Sequence, residues 1–149
     1  MEKKDIMLIA ALRKDSRKKS SKIAKELRVP VSSVHENIEK SKERYLNRFT
    51  ALLDFDKLGY SIRANIAFAV APQDRDTLLN FLKKQDCVNS LYKINAGFDF
   101  LVEVVFKTVE ELEAFVEVVE KSYIIYGKQV HHILKEIVRE KFMASSVLV

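Results

Sequence analysis

The sequence predicts an α+β protein of two domains, a three-helix module followed by a βαββαβ sandwich. Apolar residues recur at helical spacing up to residue 45 and alternate at strand spacing from residue 61. Charge divides in the same way, since residues 1–50 hold 14 Lys and Arg against 7 Asp and Glu, whereas residues 51–149 hold 12 against 14. A basic module for a polyanion is one interpretation, and a merely solubilising lysine surface is the other.

Three helices are predicted in the first 45 residues. Asp5 precedes the apolar stripe of the first, and Ser20 can cap the second. Pro30 breaks the chain and suits the first turn of the third helix. Ser33 and Glu36 have the spacing of a capping box, so this third helix has two alternative start signals. Its predicted inward stripe is narrow and consists of Val34, Ile38 and Tyr45.

The remaining chain predicts a split βαβ sandwich. An extended segment and a turn around Gly59 come first. The elements that follow are a strand at 61–71, a helix at 75–85, strands at 87–94 and 98–107, a helix opening on Thr108, and a segment at 128–142. That last segment suits a helix or a strand, and we assign a strand because a four-stranded sheet requires one.

Two helices can cover only one face of such a sheet. The opposite face is partly apolar, for example at Leu101 and Val105. Contact between the sheets of two subunits would bury this face. The sequence therefore predicts a homodimer.

The second and third helices, joined by a tight connection, fit a helix-turn-helix. The third has little apolar surface, and its polar side chains are of types that bind base edges and phosphates. Glu36 would repel phosphate unless it accepts a hydrogen bond from a cytosine amine. The alternative is a solvated face without a partner. The candidate DNA-binding residues are Ser32, Ser33, His35, Glu36, Asn37, Lys40 and, for phosphates, Lys18, Lys19, Lys22 and Arg44.

Signatures of catalysis and metal binding are missing from the sequence. It has no glycine-rich phosphate loop and no recognisable catalytic triad, so we predict neither an enzyme nor a cofactor. Adjacent His131 and His132 on a strand would point to opposite faces and chelate poorly. The lone Cys87 is predicted to be an inert packing thiol in a reducing compartment. No apolar run reaches the ~20 residues of a membrane span, so a cytoplasmic location is expected.

The loop between the two central strands of the second domain is a candidate ligand site. Gly97 and Asp99 suggest a tight, exposed turn where backbone amides and a carboxylate could meet a small molecule. The alternative is a plain hairpin in which Asp99 bonds its own backbone.

The whole chain resembles the Lrp/AsnC, or feast/famine, family of transcription regulators, and its archaeal members in particular. Three groups of residues and a turn carry the resemblance. They are Asp15, Ser16, Arg17 and "SKIAKEL"; Val29, Pro30, Ser32, Ser33, Val34 and Ile38; Phe49, Thr50, Ala51, Leu53, Asp54, Leu58 and Gly59; and the turn "AGFD", where Ala96 stands at the family's usual glycine. The resemblance implies a winged helix-turn-helix domain at 1–45, a linker strand and turn at 46–59, and an effector-binding RAM domain at 60–149.

The resemblance also implies partners. Family members form dimers through their RAM sheets, often assemble into octamers, bind palindromic promoter DNA and respond to an amino acid. The effector-binding residues it implies are Ala96, Gly97, Phe98 and Asp99, with Tyr92 beside them. The alternative function is a RAM-type metabolite-sensing or structural assembly protein that no longer reads DNA specifically.

Overall fold

A computed structural model describes residues 2–145 of the 149-residue chain, and they form two compact units. The first contains residues 2–52 together with 137–145, and the second is Leu53–Glu136. Residues 137–145, which the sequence placed with the second domain, therefore lie with the first unit. No helix within residues 2–145 is long and apolar enough to cross a bilayer.

The first unit contains three helices, α1 (Lys3–Lys14), α2 (Ser20–Leu27) and α3 (Val31–Arg44). Its core consists of Leu8, Leu12, Ile23, Ala24 and Val34, all buried. Residues 2–52 contain no strand, so no strand pair forms a wing within them.

The helix starts differ in detail from the prediction. In α1, Asp5 lies in the first turn and accepts a hydrogen bond from the Glu2 N–H at 3.0 Å. Ser20 is the first residue of α2 and not its cap, because Lys19 occupies the N-cap position. Pro30 is the N-cap of α3, so the alternative start at Ser33 is wrong: that residue lies inside the first turn.

The inward stripe of α3 also differs from the prediction at its end. Tyr45 follows the last helical residue and is 42% exposed. Ser41 takes the inward position instead and is buried. A hydroxyl is smaller than a phenol ring, which explains why a polar residue fits between closely packed helices.

The segment after the last strand is held against α1 by the guanidinium of Arg13, which donates two hydrogen bonds to it. Arg13 donates from Nε to the Phe142 carbonyl at 3.1 Å and from Nη2 to the Glu140 carbonyl at 2.9 Å. The Glu140 carboxylate lies 2.9 Å from the same Nη2. These contacts give the physical reason why residues 137–145 belong to the first unit.

The second unit is the predicted βαββαβ sandwich. Its four strands form one antiparallel sheet of order β2-β3-β1-β4. Residues 46–54 form no strand, whereas the turn predicted around Gly59 is present, with a φ of +82° at that glycine. In chain order the elements are β1 (Ile62–Val70), α4 (Arg75–Lys83), β2 (Val88–Lys93), β3 (Phe100–Phe106), α5 (Val109–Ser122) and β4 (Ile125–His132).

The prediction for the last segment is confirmed only in part. β4 ends at His132, and residues 133–139 have no regular structure, so the assignment of a strand as far as residue 142 is wrong. β1 begins at Ile62, only two residues beyond Ala64, which pairs with His132. A strand that continued to residue 142 would therefore run past the end of its partner.

One face of the sheet packs against α4 and α5. The alternating side chains predicted for β1 are buried here, including Ile66 and Phe68 at 0% exposure. Thr108 caps α5 as predicted, since its hydroxyl accepts a hydrogen bond from the Glu111 N–H at 3.2 Å. The inward residues of α5 are Leu112, Phe115, Val116 and Val119, as the sequence indicated.

The opposite face of the sheet is only partly apolar. Leu101 and Val105 lie on it as predicted, but an ion cluster occupies its centre. Arg63 lies 2.7 Å from Glu103 and 2.6 Å from Glu136, and Asn89 donates to Glu103 at 2.7 Å. Burial opposes ionisation of Glu103, yet hydrogen bonds from Arg63 and Asn89 and the charge of Arg63 hold its carboxyl pKa below the ordinary value.

Replacing Glu103 with glutamine is expected to remove an acid-dependent part of the stability. A folded-state pKa below the unfolded value of about 4.3 means that the carboxylate stabilises the fold fully above that value. The contribution is then lost as pH falls through the folded pKa. Urea unfolding from about pH 7 down to about pH 2 measures this loss, which should be smaller in Glu103→Gln than in the wild type. Equal losses in the two proteins would contradict the prediction, and Glu43→Gln, at an exposed position, is the control.

Cys87 and the adjacent histidines His131 and His132 lie in or beside the sheet of the second unit. Cys87 packs against the sheet core, and burial together with the charge of Asp86 raises the pKa of its thiol. Successive residues of β4 face opposite sides of the sheet, with His131 opposite Asn65 on one face and His132 on the other. Within residues 2–145 no group of three His, Cys, Asp or Glu side chains could hold a metal ion.

Candidate nucleic-acid interface and effector turn

The exposed surface of α3 is polar around most of its circumference. Val34 and Ser41 mark the buried side. His35 and Asn37 are two positions apart and so project about 200° from each other around the helix. His35 is exposed, whereas Asn37 and Ser33 are half-buried on the other flank. The residues that face away from the core are Ser32, Glu36, Glu39, Lys40 and Glu43.

This outward face carries both signs of charge in ion pairs. Lys40 Nζ lies 2.6 Å from Glu36 Oε1, and Lys42 Nζ lies 2.6 Å from Glu39 Oε1. A hydrogen bond from Lys40 and its positive charge lower the pKa of Glu36, which is therefore an anion at neutral pH. Lys42 also lies 5.9 Å from the centre of the Phe49 ring.

The lysines and the arginine predicted to contact phosphates differ in exposure and in whether they already form an ion pair. Lys19 and Lys22 are exposed at the start of α2. Lys18 has a side chain only 21% exposed, and its Nζ lies 2.5 Å from Glu26. The charge of Lys18 is thus already balanced within the unit. Arg44, at the far end of α3, is exposed.

Sequence reasoning missed one residue of the helix-turn-helix. Arg28 forms the turn between α2 and α3 with a left-handed φ of 54° and an exposed side chain. A tight turn after a helix needs a left-handed residue, usually glycine. The chain between Leu27 and Pro30 has no glycine, and that absence was the available signal.

The predicted effector turn is a tight hairpin between β2 and β3. Ala96 and Gly97 both have positive φ, 59° and 87°, and the Phe98 N–H donates to the Asn95 carbonyl at 3.4 Å. Two consecutive left-handed residues are typical of a type I′ turn, whose twist matches that of the flanking strands. Ala96 thus adopts a conformation that glycine accepts at lower cost.

Asp99 holds this hairpin to the rest of the unit. Its Oδ1 lies 2.8 Å from Arg75 Nε, and its Oδ2 accepts a hydrogen bond from the Val70 N–H at 2.9 Å. Its side chain is 16% exposed. Asp99 therefore bonds to β1 and α4, and not to its own turn as the hairpin alternative supposed. No local pattern indicated Arg75 as the partner, because it precedes Asp99 by 24 positions.

The other residues of the predicted effector site are spread around this turn. Tyr92 is 57% exposed and pairs with Leu101 on the open sheet face, whereas Phe98 is half-buried. A groove of about 260 Å³ lies elsewhere, between α5 and β4. It is lined by Val109, Leu112, Glu113, Val116, Glu117, Glu120, Lys128, Val130 and His132. None of the five predicted effector residues lines it.

Curated relatives of the chain are archaeal transcription regulators. It is 31% identical over 116 residues to an uncharacterised HTH-type transcriptional regulator of Pyrococcus furiosus, which covers 77% of this chain and 78% of that protein. A similar regulator of Pyrococcus abyssi is 29% identical over 143 residues, covering 95% and 97%. No protein-family model matches the chain.

Solved structures share the fold over nearly the whole length. A transcriptional regulator of Neisseria meningitidis, in complex with L-Met, superposes with a TM-score of 0.86 at 19% identity, covering 93% of both chains. AsnC of Escherichia coli gives a TM-score of 0.82 at 18% identity, covering 93% of this chain and 95% of the other. The chain belongs to the Lrp/AsnC family of helix-turn-helix transcription regulators, with an N-terminal helix-turn-helix and a C-terminal RAM domain.

Proposed function

We propose that α3 enters the major groove of promoter DNA and reads its sequence, while α2 contacts phosphates. The observation that carries this proposal is the face of α3, which exposes Ser32, His35, Glu36 and Lys40 although the helix is anchored by a narrow buried stripe. Ser33 and Asn37, half-buried on one flank, complete the proposed base-reading set. The function is one of binding, without a chemical step.

A titration of genomic DNA fragments tests this function. The fragments should include the promoter of the protein's own gene, and affinities should be measured at several stated salt concentrations because phosphate binding depends on salt. Specific binding should exceed binding to random DNA by about 10³-fold or more. Equal affinity for all fragments would support the alternative, a sensing or assembly protein that no longer reads DNA.

We further propose that the open sheet face pairs with that of a second copy. The face presents the half-buried Leu101 beside the Arg63 and Glu103 ion pair, whereas Val105 is only 9% exposed. A dimer would match the two-fold symmetry of a palindromic site. Assembly of such dimers into octamers is consistent with the family.

The variant Leu101→Glu is expected to dissociate the dimer, because a charge would be buried in the contact without a partner. Sedimentation of the full chain at micromolar concentration measures the change. Val118→Glu, on exposed surface of α5, is the matched control. A dimer that survives Leu101→Glu would contradict the proposed interface.

An amino-acid effector is proposed to bind around Ala96, Gly97, Phe98 and Asp99, with Tyr92 nearby. The turn supports this proposal because Asp99 is an acceptor for an ammonium, and the neighbouring backbone is tightly curved. An ammonium would have to compete with Arg75, which already lies 2.8 Å from that carboxylate.

Replacing Asp99 with asparagine is expected to weaken amino-acid binding by about 10- to 150-fold, the effect of one charged hydrogen bond. Asparagine retains an acceptor for the Val70 N–H, so the hairpin should stay folded. Arg75→Ala should strengthen binding, because it removes the competitor. Calorimetry with the twenty amino acids decides the matter, and undiminished binding by Asp99→Asn would exclude this site.

A further inference from the structure

Glu36 is unusual for a surface that is expected to meet DNA. It lies in the second turn of α3, and its side chain is 65% exposed on the side away from the core. An isolated carboxylate there would be repelled by phosphates. Its ion pair with Lys40, at 2.6 Å, makes the two side chains together neutral.

The pair offers a defined hydrogen-bonding pattern. One carboxylate oxygen of Glu36 is free to accept a second hydrogen bond, and the Lys40 ammonium has two further protons to donate. A C·G base pair shows the complementary pattern in the major groove, with the cytosine N4 amine as donor beside guanine O6 and N7 as acceptors. An A·T pair also offers a donor, adenine N6, and two acceptors, but it places the thymine methyl group beside them, where a charged side chain would lose hydration.

We propose that Glu36 and Lys40 together read one C·G base pair, with Glu36 accepting from cytosine N4 and Lys40 donating to guanine. This inference rests on the proposed function and names the base specificity of the same surface. The position of Glu36 supports it, because Glu36 lies in the N-terminal half of α3, where the residues of a recognition helix reach base edges. Lys40 follows one turn later on the same face.

The second ion pair of α3 is less suited to this role. Its carboxylate, on Glu39, lies three residues beyond Glu36, and Lys42 is held at 5.9 Å from the centre of the Phe49 ring. Its ammonium is thus turned toward the segment after α3. Glu36 and Lys40 have no comparable contact beyond each other among the bonds and ion pairs of residues 2–145.

Selection from random DNA, followed by competition titrations, tests the proposal on the full chain. The wild type should select a site with an invariant C·G pair. The variant Glu36→Gln should lose discrimination against the other base pairs at that position by roughly 5- to 150-fold. Lys40→Met should lose discrimination at the same position, and the double variant should lose little more than either single one.

A matched control lies on α5. Glu117 and Lys121 form an ion pair of the same i,i+4 spacing, with side chains 62% and 73% exposed, in the other unit. Glu117→Gln should leave base preference unchanged. Circular dichroism checks that the α3 variants keep their helices, which their exposed positions predict.

The outcomes separate the two proposals. Absence of any selected site for the wild type would overturn both the proposed function and this inference. A selected site whose base preference is unchanged by Glu36→Gln would overturn this inference alone. Lys40→Met could instead lower the dependence of log K on log salt while leaving base preference unchanged. Lys40 would then be a phosphate contact, and this inference would be overturned as well.

Discussion

Replacing Ile23 with alanine is expected to lower the stability of the first unit by about 2–5 kcal/mol and to abolish DNA binding. Ile23 is fully buried in a small core formed by three helices. A unit of this size buries little apolar surface and has little stability to spare. Chemical unfolding followed by circular dichroism, with DNA titration of the same samples, measures both effects.

Ile66→Ala is the contrasting variant, because it removes the same atoms from a fully buried position in the other unit. Ile23→Ala should leave self-association of the chain unchanged, whereas Ile66→Ala should weaken it. If Ile23→Ala keeps both the full stability of the protein and its specific DNA binding, this core does not support α3.

Replacing Lys19 and Lys22 together with alanine is expected to weaken binding to all DNA sequences by roughly 50- to 100-fold at about 0.1 M salt. Each lost phosphate contact lowers the dependence of log K on log salt by about 0.9, so the slope should fall by nearly two. Titrations of one specific and one random duplex over a range of salt measure this change. Their affinity ratio should stay constant, because phosphates carry no sequence information.

Two comparisons make the lysine result specific. Lys83→Ala with Lys84→Ala removes the same charge from exposed positions at the end of α4 and should leave the slope unchanged. Lys18→Ala should lower the slope by much less than one, because Lys18 is paired with Glu26. An equal loss in the Lys83 and Lys84 variant would mean that net charge, and not the surface of α2, governs binding.

Local sequence determined most of the secondary structure and the polar character of α3. The spacing of apolar residues along the chain shows which side of a helix or strand is buried. A few neighbouring positions are enough to read this spacing. The alternation around Phe68 and the cap at Thr108 were therefore predictable. So was the exposed position of His35, because it follows from the spacing of Val34 and Ile38.

Only the tertiary structure decided the partners of the charged side chains that pair with residues distant in sequence. Asp99 binds Arg75, Arg63 lies between Glu103 and Glu136, and Arg13 holds the segment around Glu140. The packing of strands, helices and connecting segments brings such residues together across tens of positions or more in the chain. A long side chain can also reach several nearby opposite charges at similar energy. No local pattern therefore specifies which of these distant pairs forms. The sequence therefore determined which faces are polar and could bind DNA or an effector. The fold determined which of their residues are covered or already paired, as Lys18 and Asp99 are.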